Sequence, residues 1–300
     1  MLSMEHNHSH AITSPNDINR SFMIGIALNV VYVVVEIIYG FQQNSTSLLS
    51  DAAHNVGDIS GLLLAFLAFR LMKIKANTTF TYGYKKGSIV ASFINSVLLA
   101  FAIGAIAWEG VHKILNPSPL SGTVIMWVAG IGVAINFISA MLFKKNKQSD
   151  LNIKAAYWHL MADAMVSLGV VVSGILIHYF HWYALDGITA IIIAIVVLLS
   201  TWRLFKDSAI AILDGVPASV DSGEIKEHLM GVKGVIDVHH MHIWGLSTNE
   251  NSITAHIQIE NSEKLPEIKK ALKEELEEHN IKHSTLEFEF ESENCKDTKI

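Results

Sequence analysis

The sequence predicts an α-helical membrane protein: a bundle of six transmembrane helices followed by a small α+β domain of order αββαβ. Three features carry that expectation. Hydrophobic residues make up 51% of the 300 residues and charged residues only 17%, against about 25% charged in an ordinary soluble domain. The charge is also split along the chain. Residues 1–206 hold 13 Lys/Arg and 9 Asp/Glu, a net of +4, whereas residues 207–300 hold 9 and 19, a net of −10. The apolar residues of the first part, finally, fall into six long runs. A single soluble domain and a disordered chain are thereby excluded. The one cysteine, Cys295, excludes a disulfide framework, a Cys-rich zinc fold and an iron–sulfur site. The acidic C-terminal part argues against nucleic acid as a partner, and no organic cofactor is expected.

Residues 1–21 are polar and predict no cleavable signal peptide. The runs at 22–41, 48–70, 87–108, 122–143, 153–178 and 184–205 each approach or exceed the roughly 20 residues needed to cross a hydrocarbon core of about 30 Å. Their connections alternate in charge. Arg20, then Arg70, Lys73, Lys75, Lys85 and Lys86, then Lys144, Lys145 and Lys147, and finally Arg203 and Lys206 lie on one side; the other side has Lys113 alone. The positive-inside rule puts both termini in the cytoplasm, with the cell (inner) membrane as the expected location. Three regions follow: an N-terminal arm (1–21), the six-helix domain (22–206) and a cytoplasmic domain (207–300).

In the last region Asp221–Met230 reads as a helix opening at Val220-Asp221-Ser222, and Gly234–Trp244 is rich in strand formers. Ile253, Ala255, Ile257 and Ile259 alternate as in a half-buried strand. Leu265, Ile268, Leu272 and Leu276 recur at helical spacing, and Leu286, Phe288 and Phe290 alternate with glutamates. This is a compact sheet with helices on one face.

Ionisable residues inside membrane helices are costly and are functional candidates by default. Helix 2 contains His54 and Asp58, helix 5 His159 and Asp163, each pair at i, i+4 and so on one helix face. At about 1.5 Å per residue, Asp58 lies about 15 Å from one end of its run and Asp163 about 15 Å from the opposite end of the membrane. Two imidazoles and two carboxylates at matching depth suit tetrahedral Zn²⁺. The alternatives are buried ion pairs within each helix, or a proton relay. Asp51, one turn before His54, reads as a helix-start or supporting residue, or as a further ligand. Glu36 shares a face with Asn29 and Tyr32, either lining an outer vestibule or packing through hydrogen bonds. His6, His8 and His10 alternate on the N-terminal arm and either chelate metal loosely or have no role.

Six helices with cytoplasmic ends, Ser47-Leu-Leu-Ser-Asp51-Ala-Ala-His54-x3-Asp58, His159-x3-Asp163, and Val238-His239-His240-Met241-His242-Ile243-Trp244 together resemble the cation diffusion facilitator family, in its zinc-transporter branch. The resemblance covers residues 20–300. It implies a homodimeric divalent metal/proton antiporter that exports zinc, with a metallochaperone-like tail that binds metal and dimerises. It also implies a soluble metal site at His239, His256 and Glu289, with His283 as a candidate accessory residue. Strand alternation places His240 and His242 together on the face opposite His239. The chain departs from the family pattern at His240, where an Asp is usual, and at Gly87-Ser88, which lacks the usual Glu. It has no histidine in 71–86, where many relatives hold an interface metal, and no His-rich insertion between helices 4 and 5.

The function expected is efflux of a divalent cation, Zn²⁺ first with Cd²⁺, Co²⁺ and Ni²⁺ also compatible, by alternating access. Zinc would also serve as a structural or regulatory ion of the tail. Protons compete with metal for imidazole nitrogens that titrate near pH 6.5. A membrane metalloenzyme is disfavoured, because a catalytic zinc keeps an open water position and needs a general base. A metal sensor with a passive membrane anchor would carry no flux.

Overall fold

The computed structural model describes residues 15–143 and 151–290. Six long helices come first: α1 (Pro15–Gln42), α2 (Thr46–Met72), α3 (Gly87–Leu115), α4 (Gly122–Phe143), α5 (Leu151–Phe180) and α6 (Ala184–Ile212). α2 to α6 are each long and apolar enough to cross a bilayer, and Ala27–Gln42 adds the apolar part of α1. Phe101, Trp108, Trp127 and Leu199 stand exposed on these helices, as side chains facing lipid must. α6 outlasts its apolar run. It ends at Ile212 rather than near 206: Asp207-Ser-Ala-Ile-Ala-Ile212 contains no helix breaker, and the first ones are Gly215 and Pro217.

Contacts divide the chain into two units, 1–59 with 99–198, and 60–98 with 199–300. In the first, Leu48, Ile103, Ile125, Val170, Ile193 and Val197 form the core. α4 and α5 run against each other at backbone distance. A Cβ on Gly122 would lie 2.4 Å from the Gly174 carbonyl, and one on Gly174 would lie 2.8 Å from the Met126 nitrogen. Small residues of this kind let membrane helices approach where no hydrophobic force drives them together. Gly132 of α4 does the same for α1: a Cβ there would occupy the space of the Tyr32 hydroxyl.

The second unit contains α7 (Ser222–Gly231), β1 (Val235–Ser247), β2 (Glu250–Ile259), α8 (Leu265–Glu278) and β3 (Ile281–Phe290). This is the expected αββαβ order. Asp221 caps α7, its side chain accepting from the Gly223 and Glu224 amides, which satisfies donors the helix itself cannot. β1 pairs antiparallel with β2, and β2 parallel with β3, in the order β1-β2-β3. Ile225 and Leu229 of α7, Ile268, Leu272 and Leu276 of α8, and Val238, Ile243, Ile253 and Ile257 of the sheet form the core. The connection between α2 and α3 docks on this domain within the unit. Lys85 Nζ bonds Glu250 at 2.8 Å, Lys86 Nζ bonds Asp214 at 2.5 Å, and the Thr248 amide donates to Ser88 Oγ.

Candidate metal centre

His54 and Asp58 lie one turn apart on α2, and His159 and Asp163 one turn apart on α5. Each pair lies about 12 to 18 Å from the start of its own helix at 1.5 Å per residue, so both fall inside the span. The contacts are crossed. His54 Nε2 lies 3.2 Å from Asp163 Oδ1, and His159 Nε2 lies 3.4 Å from Asp58 Oδ2. Within each helix, His54 Nδ1 is 3.7 Å from Asp58 Oδ2, and His159 Nε2 is 3.8 Å from Asp163 Oδ2. Antiparallel helices require this pairing of an early residue with a late one. The two imidazoles stand nearly perpendicular, 84° apart, with centroids 6.4 Å from each other.

Four ligands around a zinc at about 2.0–2.2 Å sit roughly 3.3 Å apart at tetrahedral angles. The four His–Asp separations, 3.2 to 3.8 Å, bracket that value, and ligand atoms of His54, Asp58 and Asp163 all lie within 4.8 Å of one another. Asp163 is nearly enclosed, His54 and Asp58 are partly so, and the His159 side chain is 51% exposed, which leaves one approach to the cluster open. Buried polar atoms normally find a partner, yet His54 Nδ1 and Asp58 Oδ2 make no hydrogen bond. A dehydrated divalent cation accepts such atoms, and two carboxylates offset its charge where water cannot.

A buried polar layer packs one turn earlier on α2, before His54. Asp51 is fully enclosed and accepts from Ser167 Oγ of α5 at 2.7 Å. Glu36 is also fully enclosed. It accepts from Tyr32 Oη at 2.6 Å and from Asn55 Nδ2 at 3.2 Å, so it packs through hydrogen bonds rather than lining an outer vestibule. Asp51 likewise stands outside the four-residue cluster. Asn55 and Ser167 escape sequence inspection, because a single amide or hydroxyl in an apolar helix has no distinguishing spacing. Asp186 escaped because an acidic residue in the first turn of a helix is ordinary and draws no notice. Its carboxylate is fully buried and accepts from Ser45 Oγ, Ser47 Oγ and the amides of Thr46 and Ser47 at 2.6 to 3.1 Å, holding the N-terminus of α2 through a negative charge at its positive end.

The tail holds a second cluster. His256 Nδ1 lies 2.6 Å from Glu289 Oε1, and His239 Nε2 lies 3.2 Å from Glu289 Oε2. His239 and His256 are direct partners across β1 and β2. Asp237 and Glu287 reach the outer nitrogens, at 3.0 Å from His239 Nδ1 and 3.5 Å from His256 Nε2. Two sequence expectations fail here. β1 does not alternate through 239–242: its register shifts, and His240 takes a left-handed φ of 48°. The bulge turns Met241 onto the core and brings His240 to His256, with centroids 4.9 Å apart. His240 is therefore on the same side as His239 and close to His242, with Nε2 atoms 3.4 Å apart. His283 pairs with Ser252, and its ring packs on Tyr82. Six residues of β3 separate it from Glu289, about 20 Å of strand, so it is not a fourth partner. His6, His8 and His10 lie outside the described residues, as do residues 144–150.

Residues 22–213 match the family model described as the cation efflux transmembrane domain, and residues 217–289 match that of the cation efflux protein, cytoplasmic domain. The chain is 32% identical over 296 residues to the "Cadmium, cobalt and zinc/H(+)-K(+) antiporter" of Bacillus subtilis (strain 168), covering 97% of this chain and 94% of that protein. It is 32% identical to the "Metal cation efflux system protein CzcD" of Cupriavidus metallidurans, covering 95% and 89%. It is 30% identical to the "Zinc transporter ZitB" of Escherichia coli (strain K12), covering 96% and 93%. Matched through both its parts, the chain belongs to the cation diffusion facilitator (cation efflux) family, in its zinc-transporter branch, and is an integral membrane transporter rather than an enzyme.

Proposed function

We propose that the protein exports Zn²⁺ from the cytoplasm in exchange for protons, with His54, Asp58, His159 and Asp163 as the transport site. The observation that carries this reading is the crossed cluster itself: two nitrogens and two carboxylates converging from α2 and α5, inside the span, with buried ligand atoms that make no hydrogen bond. The names of the similar proteins, which cite zinc, cadmium, cobalt and protons, support the same substrate class. Metal binds neutral imidazole, so a proton and a zinc ion compete for His54 and His159. High proton activity on the outer face displaces the metal there. Low proton activity on the inner face lets it load. Alternating access of one site to the two faces then couples the fluxes.

The orientation follows from the loop charges, with both termini and the tail in the cytoplasm of the cell membrane. The contacts of Lys85 and Lys86 with Glu250 and Asp214 support the placing of the α2–α3 connection and the tail on one side. The tail works as a dimerisation domain whose His239, His256 and Glu289 hold a structural or regulatory zinc, with His240 and His242 as neighbours. The test is zinc uptake by inside-out proteoliposomes. An imposed gradient, acidic inside the vesicle, is expected to drive Zn²⁺ in. Uptake unaffected by the sign of the gradient would overturn the antiport.

A further inference from the structure

A third set of ligand atoms lies on the helical layer of the tail, apart from both clusters described above. His228 sits in the last turn of α7. Glu275 and His279 lie one turn apart at the C-terminal end of α8. His228 Nδ1 is 2.9 Å from Glu275 Oε1 and 2.7 Å from His279 Nε2, and His279 Nε2 is 3.7 Å from Glu275 Oε1. The imidazoles cross at 64° with centroids 4.7 Å apart.

Hydrogen bonding serves this triangle poorly. One atom, His228 Nδ1, faces both other groups. If it carries a proton, that N–H points along one line and leaves the other short contact without one. If it carries none, its lone pair faces a carboxylate oxygen. A cation at the centre takes a lone pair from all three. Zinc bonded at about 2.0–2.1 Å sets its ligand atoms roughly 3.3 Å apart, within the range these three already span. The side chains have room to adjust, with 44%, 31% and 21% of His228, Glu275 and His279 exposed. Their backbones do not: Ile225 and Leu229 flank His228, and Leu272 and Leu276 flank Glu275, all buried in the tail core. The C-terminal end of α8 adds the negative end of its dipole. Glu224, Glu227, Glu274, Glu277 and Glu278 make both helices acidic nearby.

We propose that His228, Glu275 and His279 form a divalent-cation site of the zinc class, with two nitrogens, one oxygen and a fourth position open to water, which fastens α7 to α8. Metal bound there stabilises the helical layer by mass action, so the rigidity of the tail rises with the metal concentration around it. The site carries no transported ion, and its existence does not depend on the transport reading.

The test is hydrogen exchange with mass spectrometry on the full-length protein in detergent, stripped of metal and then given Zn²⁺. In the unaltered chain, Zn²⁺ at ten times Kd is expected to slow exchange of opening-limited amides in 222–231 and 265–279 about tenfold. Glu275→Gln, which keeps shape and removes the anionic ligand, and His228→Ala are each expected to abolish that slowing. Unchanged exchange in these segments of the unaltered chain would overturn the site. Slowing that persists in Glu275→Gln and His228→Ala would overturn it equally, by assigning the effect to metal bound elsewhere. A failure of zinc flux in vesicles bears on the transport site and leaves this result untouched.

Discussion

His54 Nε2 of α2 stands 3.2 Å from Asp163 Oδ1 of α5, across 109 positions of sequence. The same arrangement in reverse joins His159 to Asp58. Each helix supplies one nitrogen and one carboxylate, and each carboxylate faces the other helix's imidazole. The site is therefore assembled only when α2 and α5 hold their relative register, and a shift of one turn, about 5.4 Å, would dismantle it. Under the proposed function this gives alternating access a physical handle: a metal bound there would hold the register that its ligands require.

Under the proposed function, the identity of the four side chains sets the metal. His159→Asp turns a two-nitrogen, two-oxygen site into one with a single nitrogen, harder in ligand character. The expected result is a wider range of cations, with Cd²⁺ or Mn²⁺ uptake into vesicles rising relative to Zn²⁺. An unaltered preference would remove His159 from the metal.

Asp186 lies outside the proposed metal site. Its carboxylate receives two hydroxyls and two amides at the start of α2. Asp186→Asn replaces an accepting oxygen with an N–H that faces another donor. The expected cost is about 1–3 kcal/mol of stability, seen as a lower thermal midpoint in detergent and as reduced flux with the same order of metal preference. A changed metal preference would show that Asp186 belongs to the metal site instead.

Much of this architecture is legible in the sequence, and the exceptions have physical reasons. The six spans follow from apolar length, and the cluster of His54, Asp58, His159 and Asp163 from two His-x-x-x-Asp repeats, because a helix converts that spacing into one face. The end of α6 is not legible from hydropathy, since 207–212 leaves the apolar run without leaving the helix. The bulge at His240 is hidden because a left-handed φ at a non-glycine residue follows from tertiary contacts rather than local preference. His228 is 47 residues from Glu275, and no motif links them; only the packing of α7 on α8 does. His283 failed as a ligand because strand register, invisible in one sequence, puts it opposite Ser252.

The tail should be separable from metal selection. A chain ending at Ile212 keeps α1 to α6 and loses the αββαβ domain. We expect weaker dimerisation by light scattering and slower zinc uptake, with the same preference among metals. Full uptake by a stable truncated protein would make the tail dispensable for transport.

His54→Ala removes a neutral ligand whose place water can take. Zinc flux should fall less than with loss of a carboxylate, but its dependence on pH should flatten, because one of the two proton-competing nitrogens is gone. The measurement is initial Zn²⁺ uptake against pH at constant gradient. A pH profile like that of the unaltered protein would separate His54 from proton coupling.

The central claim is that two carboxylates neutralise a dehydrated zinc ion inside the span. Asp58→Asn and Asp163→Asn keep size and shape but leave a net charge of +1 on the loaded site, which hydrocarbon opposes strongly. The direct measurement is pH-driven Zn²⁺ uptake by proteoliposomes of each variant, after size-exclusion chromatography shows the same assembly as the unaltered protein. Near-complete loss of flux in both is the expected result, and near-normal flux in either would contradict the four-ligand site.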